Sequence, residues 1–106
     1  MNISDVILMG GGAKADIWNS IKANVYNRVV KVPKITEASS FGAFLLGGYG
    51  IGIFKDLEES ACRINCTQKE FSPNDKDNKI YMKYYKLYNE LYSSVEDLYK
   101  KLDSIN

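Results

Sequence analysis

The first third of the chain combines short apolar runs with one stretch of helical spacing. The run from Asp5 to Met9 is apolar, ends at three glycines and predicts a strand buried on both faces. Ala13 to Val25 has the 3.6-residue spacing of a helix, which Asn27 is expected to end. Val29 to Val32 is rich in valine and predicts a second strand. Strand, helix and strand in this order are typical of a crossover in a parallel sheet. The face that the helix is expected to bury consists of Ile17, Trp18, Ile21 and Val25.

Two further helices are predicted in the middle of the chain. Thr36 is expected to cap a helix from Ala38 to about Tyr49. Because that helix is apolar nearly all round and rich in small residues, we expect it to be buried against close neighbours. Asp56 stands three residues before Glu59, a spacing that predicts the capping box of a short amphipathic helix. The apolar positions of that helix are Leu57, Ala61 and Ile64.

The last third of the chain predicts one long helix, from Lys76 to Asp103. Thr67 to Ser72, which precedes it, fits either a strand or an extended loop. Six of the 8 tyrosines lie on the long helix at helical spacing, with acidic residues between them. This pattern favours a packing face with hydroxyl groups in water over a surface for stacking nucleic-acid bases. The apolar positions on this side are Ile80, Tyr81, Tyr84, Tyr85, Tyr88, Leu91, Tyr92, Val95, Leu98, Tyr99 and Leu102.

Composition and charge exclude several classes of function. A chain of 106 residues with a net charge of +1 and scattered lysines offers no basic surface, so no nucleic-acid partner is expected. The sequence has neither an apolar run of about 18 residues nor the basic start of a signal peptide, which predicts no membrane span and a cytoplasmic location. Cys62 and Cys66 have no histidine and no second cysteine pair beside them, so we expect reduced cysteines without zinc or nucleophilic chemistry.

The feature with the clearest chemical meaning is the turn Gly10-Gly11-Gly12, between the first strand and the first helix. Glycine lets a ligand lie against bare backbone because no Cβ obstructs it, and N–H groups at a helix start favour an anion. A tight turn that requires positive φ is a purely structural explanation of the same residues. Both explanations are open at this point.

Two known nucleotide-binding loops can be compared with this turn. A Walker A loop requires a serine or threonine after its lysine, and Ala15 follows Lys14 here, so that loop is excluded. The dinucleotide-binding pattern G-x-G-x-x-G/A does match, at Gly10, Gly12 and Ala15. Its acidic ribose ligand is missing, so only an NADP-binding fragment of an oxidoreductase is left as an alternative. Where the acidic residue would stand, at the end of the second strand, the sequence has Lys31, Pro33 and Lys34, which fit only the 2′-phosphate of NADP.

The order of motifs along residues 5–65 points to one family. The segment GGGAKADIWNSIKANV is followed by VVKVPKITEASSFGAFLLGGYGIGIF and then by DLEES. In this order the motifs are similar to the C-terminal region of xylulokinase-like members of the FGGY carbohydrate kinase family, and the tyrosine-rich tail resembles the family's terminal helix. Two positions depart from the family pattern. Ala15 stands where serine is usual, and Asn24 stands where aspartate is usual.

The resemblance implies an α/β fold that is part of an actin-like (ribonuclease H-like) ATPase domain. Strand, helix and strand would be followed by helices and a long C-terminal helix. Residues 1–72 would be the C-terminal part of the nucleotide-binding domain of an FGGY kinase, and residues 73–106 its terminal amphipathic helix. The implied activity is transfer of the γ-phosphoryl group of ATP to a sugar hydroxyl, with a pentulose such as xylulose as the favoured substrate.

The resemblance also implies which residues bind the cofactor. The backbone of Gly10, Gly11 and Gly12 would approach ATP closely. Ala13 and Lys14 would begin the helix beneath the nucleotide, and Asp16 would face the adenine. No catalytic base, sugar contact or metal ligand of the family matches this stretch. We therefore expect ATP and Mg²⁺ as cofactors, with the metal ligands elsewhere, and a domain fragment that is inactive by itself.

Two expectations concern partners other than ATP, ADP and the sugar. The strand from Asp5 to Met9 and the helix from Ala38 to Tyr49 are apolar on all sides, and so short a chain has too few other segments to bury them. This predicts self-association of the isolated chain. A non-enzymatic interaction module that uses the tyrosine-rich helix is the second alternative to a kinase.

Overall fold

The structure, a computed structural model, describes residue 3 and residues 5–105. Within them the chain forms an α/β arrangement of one three-stranded sheet and four α-helices, with a 3-10 turn before the first helix. In chain order the elements are β1 (Asp5–Ile7), the 3-10 turn (Gly11–Lys14), α1 (Asp16–Tyr26), β2 (Val29–Pro33), α2 (Ala38–Gly50), α3 (Leu57–Ile64), β3 (Thr67–Phe71) and α4 (Asp75–Asp103).

β2 is the central strand of the sheet. It pairs in parallel with β1, with Asp5 opposite Val29, and antiparallel with β3, with Val30 opposite Phe71. The predicted parallel strand, helix and strand unit is therefore confirmed. The segment that fitted either a strand or a loop is strand β3. Because β2 has a neighbouring strand on each side and α1 packs against it, Val30 is completely buried.

β1 is not buried on both faces, and that prediction is wrong for this chain. Ile7 is 64% exposed, and neither Val6 nor Leu8 is buried. Parallel strands become buried when helices cover both faces and strands lie along both edges. Among the described residues, β1 has a partner strand only on the side of β2. The other edge of β1 therefore presents backbone groups that could pair with another strand.

α1 begins at Asp16, whereas the sequence predicted a start at Ala13. Ala15 is extended, with φ −95° and ψ 107°, and separates the 3-10 turn from the helix. The helix ends where expected. Asn27 adopts the left-handed conformation, with φ 50°, and donates its N–H to the carbonyl of Ala23, an arrangement common at helix C-termini.

The buried face of α1 also differs from the predicted one. Its buried residues are Asn19 and Ala23, one turn apart, on a helix that packs against β2 and α4. Ile17 and Trp18 are instead 76% and 49% exposed, and the other two predicted positions are half-buried. Helical spacing defines a side of the helix, but remote segments decide which side they cover.

α2 has the predicted range, but its cap and its burial differ from the prediction. Glu37 occupies the N-cap position without a side-chain cap, so the predicted Thr36 cap is wrong. The carbonyl of Thr36 instead accepts the N–H of Gly10 at 2.6 Å. α2 is buried on one side and not all round, because α3 is the main element of the described chain that packs against it. The buried side of α2 contributes to a small hydrophobic core. It consists of Phe41, Leu45 and Phe54, flanked by Ile35, Leu57, Ala61 and Ile64.

The starts of α3 and α4 are set by side-chain caps. Asp56 Oδ1 accepts the N–H of Glu59 at 2.8 Å, which confirms the predicted start of α3. Asn74 Oδ1 accepts two N–H groups of the first turn of α4. α4 packs on α1, but its tyrosines beyond Tyr81 are exposed, so the expected packing face has no cover there. None of the helices in the described ranges is both long and apolar enough to span a bilayer.

Candidate functional site

The glycine turn lies where β1 ends, and its first glycine has a conformational reason to be glycine. Gly10 has φ +83°, a conformation that other L-residues rarely adopt. Its N–H donates to the carbonyl of Thr36, and its carbonyl accepts the N–H of Ala13 at 3.1 Å. The structural explanation of the turn, a need for positive φ, therefore holds for Gly10.

That explanation does not extend to the next two glycines. Neither Gly11 nor Gly12 has positive φ. A Cβ on Gly11 would meet nothing within 4 Å, and a Cβ on Gly12 would meet only the mobile end of Lys22, at 4.0 Å. Within the described chain, neither backbone conformation nor packing requires glycine at these two positions. They leave a stretch of bare backbone open to an approaching molecule.

Ala13, the next residue, anchors the turn to the interior. It is 3% exposed, and its carbonyl accepts the side-chain Nδ2 of Asn19 at 2.7 Å. Asn19 is completely buried on α1 and was not among the residues that the sequence predicted for the site. A polar residue four positions before the small residue Ala23 was the available signal, because the two share one helix face.

The two charged residues predicted for the site each form an ion pair at the surface. Lys14 Nζ lies 3.0 Å from Glu37 Oε1, which joins the turn to the start of α2. Asp16 accepts Lys69 Nζ with both oxygens, at 2.8 and 2.9 Å, which joins the start of α1 to β3. Both pairs are exposed, so each contributes about 1 kcal/mol or less to stability. Their effect on the site is mainly to restrict where these side chains lie.

Two open cavities flank the turn. One, of about 280 Å³, has three lysines in its lining, together with the buried Ala13 and residues of β2 and β3. The other, of about 330 Å³, is mostly apolar and lies between the end of β1, α2 and α3. The lysines of the first cavity are Lys14, Lys34 and Lys69. Because Glu37 and Asp16 pair with Lys14 and Lys69, the net positive charge of the first cavity is small, and the second cavity offers an apolar surface.

The structure brings the six predicted cofactor residues into one short segment but not into one helix. Ala13 and Lys14 belong to the 3-10 turn, so the prediction that they begin the main helix is wrong. The extended Ala15 also departs from the dinucleotide-binding loop, in which the glycine turn opens directly into the helix. That geometry disfavours the NADP alternative.

Metal and thiol chemistry find no support in the described residues. No cluster of three or more histidine, cysteine, aspartate or glutamate side chains occurs among them. Cys62 and Cys66 are free and exposed, and their reduced state stays a prediction. Among the described residues, the clear pKa shift is that of Lys31 on β2. Asp5, 3.0 Å from the Lys31 ammonium, accepts its hydrogen bond and raises the pKa of that lysine.

Comparison with known proteins gives one consistent result. Residues 1–51 match the family described as the FGGY family of carbohydrate kinases, C-terminal domain. A xylulose kinase of Staphylococcus epidermidis is 31% identical over 96 residues, which cover 91% of this chain and 19% of that protein. An autoinducer-2 kinase of Yersinia pestis is 35% identical over 78 residues, which cover 74% of this chain and 15% of that protein.

Solved structures agree with the sequence matches. The ligand-bound xylulose kinase from Lactobacillus acidophilus superposes with a TM-score of 0.80 at 26% identity, over 92% of this chain and 20% of that one. A gluconate kinase from the same species superposes with a TM-score of 0.79, with the same coverage. The chain therefore spans about a fifth of the length of the relatives that it matches.

Proposed function

Because the chain belongs to the FGGY family of carbohydrate kinases, to whose C-terminal domain residues 1–51 correspond, we propose that it forms one wall of the ATP site of a sugar kinase. Such a kinase transfers the γ-phosphoryl group of ATP to a sugar hydroxyl. One observation carries the proposal. Neither backbone conformation nor packing among the described residues requires glycine at positions 11 and 12, and a nucleotide lying against their backbone accounts for both.

Each predicted residue has a role in this proposal. Gly10 makes the turn, and Gly11 and Gly12 let the adenosine and α-phosphate end of ATP approach. Ala13 and Lys14 support the nucleotide from the 3-10 turn, and Asp16 faces the adenine. Bound ATP would supply the phosphoryl group.

The remaining parts of the catalytic site belong to other regions of a kinase. Phosphoryl transfer requires a base for the attacking hydroxyl and a metal clamp on the phosphates. The described residues contain no cluster for Mg²⁺, so its ligands would come from elsewhere, as would the sugar contacts. A pentulose such as xylulose is the proposed substrate, since relatives named xylulose kinase are among the matches. The chain alone is proposed to be inactive.

The proposal includes a fold assignment and a location. The parallel β1 and β2 with their crossover helix would belong to an actin-like (ribonuclease H-like) domain, of which residues 1–72 are the nucleotide-binding part and residues 73–106 the terminal helix. Packing of α4 on α1 supports a single unit. A cytoplasmic location stays a prediction.

Self-association of the chain is also proposed, on the strength of three uncovered surfaces. They are the free edge of β1, the exposed side of α2 with Phe44 and Leu46, and the tyrosine side of α4. Apolar surfaces of this extent are uncommon on stable monomers. An interaction module without enzymatic function would use the same α4 surface, and nucleotide binding separates the two possibilities.

The test is a titration of the 106-residue chain with ADP, followed through the backbone amide signals of the three glycines. We expect shifts confined to the turn, and Gly12→Val should weaken ADP binding at least tenfold because its branched side chain occupies the approach to the backbone. Gly47→Val is the matched control, since Gly47 also has open space around it but lies on α2. In a kinase that contains this segment, Gly12→Val should raise the KM for ATP far more than the KM for the sugar.

Two results would contradict the proposal. One is an unchanged ADP affinity in a normally folded Gly12→Val variant, and the other is the absence of any ADP-induced shift in the turn. A parallel titration with NADP decides the oxidoreductase alternative. Tighter binding of NADP than of ADP, with shifts that extend to Lys31 and Lys34, would favour that alternative.

A further inference from the structure

Asn19 is the most enclosed polar side chain in the described part of the chain. Its exposure is 0%, and with Val30 it is one of the two largest fully buried side chains. Its Nδ2 donates to the carbonyl of Ala13 at 2.7 Å, across six positions of sequence. A buried carboxamide is costly unless it forms hydrogen bonds, so this bond is the reason that the chain tolerates Asn19 there.

The other half of the carboxamide has no partner. Asn19 Oδ1 is buried, and no donor in the described residues reaches it. Rotation of the amide by 180° does not improve this, because it would place two oxygen acceptors, Oδ1 and the carbonyl of Ala13, against each other. An apolar residue of the same shape would avoid the unpaired acceptor but would leave the buried carbonyl of Ala13 without its donor. Asparagine therefore leaves one acceptor of its own unpaired and satisfies one in the turn, so its distinctive effect is on the turn.

The bond acts on the part of the chain that needs external restraint most. Three consecutive glycines have the largest conformational freedom of any tripeptide. Apart from the hydrogen bonds within the 3-10 turn itself, the described backbone bonds at the turn are those of Gly10 with Thr36 and of Ala13 with Gly10, and the pair of Lys14 with Glu37 lies at the surface. The bond from Asn19 is the buried restraint, and it fixes the direction of the Ala13 carbonyl and so of the peptide planes before it.

We propose that Asn19 is a positioning residue for the glycine turn. By holding the carbonyl of Ala13, it keeps the backbone of Gly11 and Gly12 in the orientation that receives the nucleotide. This inference rests on the proposed function for its purpose, since an ordered turn matters to function only if a ligand uses it. Its structural content, an ordering of the turn by one side chain, can be measured without any nucleotide.

The first experiment compares backbone order in the 106-residue chain and in Asn19→Leu, which is close to asparagine in shape but cannot donate. Order parameters from ¹⁵N relaxation are expected to fall at Gly11, Gly12 and Ala13 from about 0.85 to below about 0.6, with Val30 unchanged. Asn24→Leu is the control, because Asn24 on the same helix also binds a remote backbone group. It should leave the order of the turn unchanged. Unchanged order at the turn in Asn19→Leu, or an equal fall along the whole chain, would overturn the proposal.

The second experiment adds ADP to the same two variants. Asn19→Leu is expected to weaken ADP binding at least tenfold at a temperature where the variant is still folded, although loss of the donor to a buried carbonyl also lowers its Tm. A merely structural role for Asn19 would lower Tm and leave the ADP affinity of the folded variant equal to that of the original chain, and that outcome would refute the positioning role. If the original chain binds no ADP, the proposed function fails, and the relaxation data alone then decide whether Asn19 orders the turn.

Discussion

The side-chain Oδ1 of Asn24 on α1 accepts the backbone N–H of Asn74, the residue that caps α4, at 2.8 Å. The other atom of the same carboxamide, Nδ2, points to Asp77 Oδ2 at 3.5 Å, and the Asn24 carbonyl accepts the side chain of Asn78. This half-buried residue thus joins α1 to the first turn of α4. It also explains a departure from the family pattern, because the usual aspartate would place a second carboxylate beside Asp77.

Asn24→Asp is therefore expected to destabilise the chain. Repulsion between two partly buried carboxylates should cost about 1–2 kcal/mol at low salt and less at high salt. Urea unfolding at two ionic strengths measures it. The exchanged variant Asn24→Asp with Asp77→Asn should recover most of the loss, and Asp77→Asn alone is the control. A loss independent of salt and not recovered by the exchange would contradict this explanation.

Two neighbouring glycines of α2 should respond in opposite directions to alanine. A Cβ on Gly48 would overlap the ring of Phe54, whereas a Cβ on Gly47 would meet nothing within 4 Å. Gly48→Ala is expected to cost about 1–3 kcal/mol, because it overpacks the small core. Gly47→Ala should stabilise the chain by about 0.5–1 kcal/mol through helix propensity. Thermal melting compares them, and equal effects would refute the close contact.

The tyrosine side of α4 is expected to mediate self-association. Leu91 is 59% exposed and lies among Tyr88, Tyr92 and Tyr99. Light scattering of the original chain should show a mass that rises with concentration above 12.0 kDa. Leu91→Glu should raise the concentration for association at least tenfold, because a buried charge in the interface is costly.

Ser93→Glu is the matched control for that experiment, since it adds the same charge on the same helix at an exposed position outside the tyrosine side. It should associate like the original chain. A chain that stays monomeric at all concentrations and melts cooperatively would refute self-association. Equal association of both variants would show that the interface is not the tyrosine side of α4 but the β1 edge or α2.

Stability at high pH should depend on Lys31. Its pKa is raised above the ordinary value by the hydrogen bond and charge of Asp5, with a smaller contribution from Glu70. The stabilisation is therefore complete below the unfolded pKa of about 10.4 and is lost as pH rises through the higher folded pKa. Lys31→Met should lack this decline, and Lys83→Met on α4 is the control. Urea unfolding between about pH 8 and 11 measures the difference, and parallel curves for Lys31→Met and the original chain would contradict it.

The isolated chain is expected to show no sugar kinase turnover. The described residues contain no cluster of metal ligands. The sequence also has no match to the catalytic base or the sugar contacts of the family. A coupled assay with pentoses, pentuloses and hexoses checks this, with chain carrying Gly12→Val as a contamination control. Turnover that disappears in Gly12→Val would show that the chain itself is an active kinase.

The sequence by itself determined the features that depend on residues within about one helical turn of each other. The helix end at Asn27, the cap from Asp56 to Glu59 and the long α4 followed from local conformational preference and side-chain reach. The parallel pairing of β1 and β2 followed from the order of elements. The order of motifs also identified the family and placed the glycine turn.

Only the tertiary structure decided which surfaces are covered, because burial depends on segments far apart in sequence. It left β1, Ile17 and most of α2 exposed, where apolar sequence alone predicted burial. It separated the glycine that the backbone requires, Gly10, from the two that it does not. It also revealed Asn19, because its hydrogen bond to the Ala13 carbonyl depends on how α1 packs against the turn and not on the residue type alone.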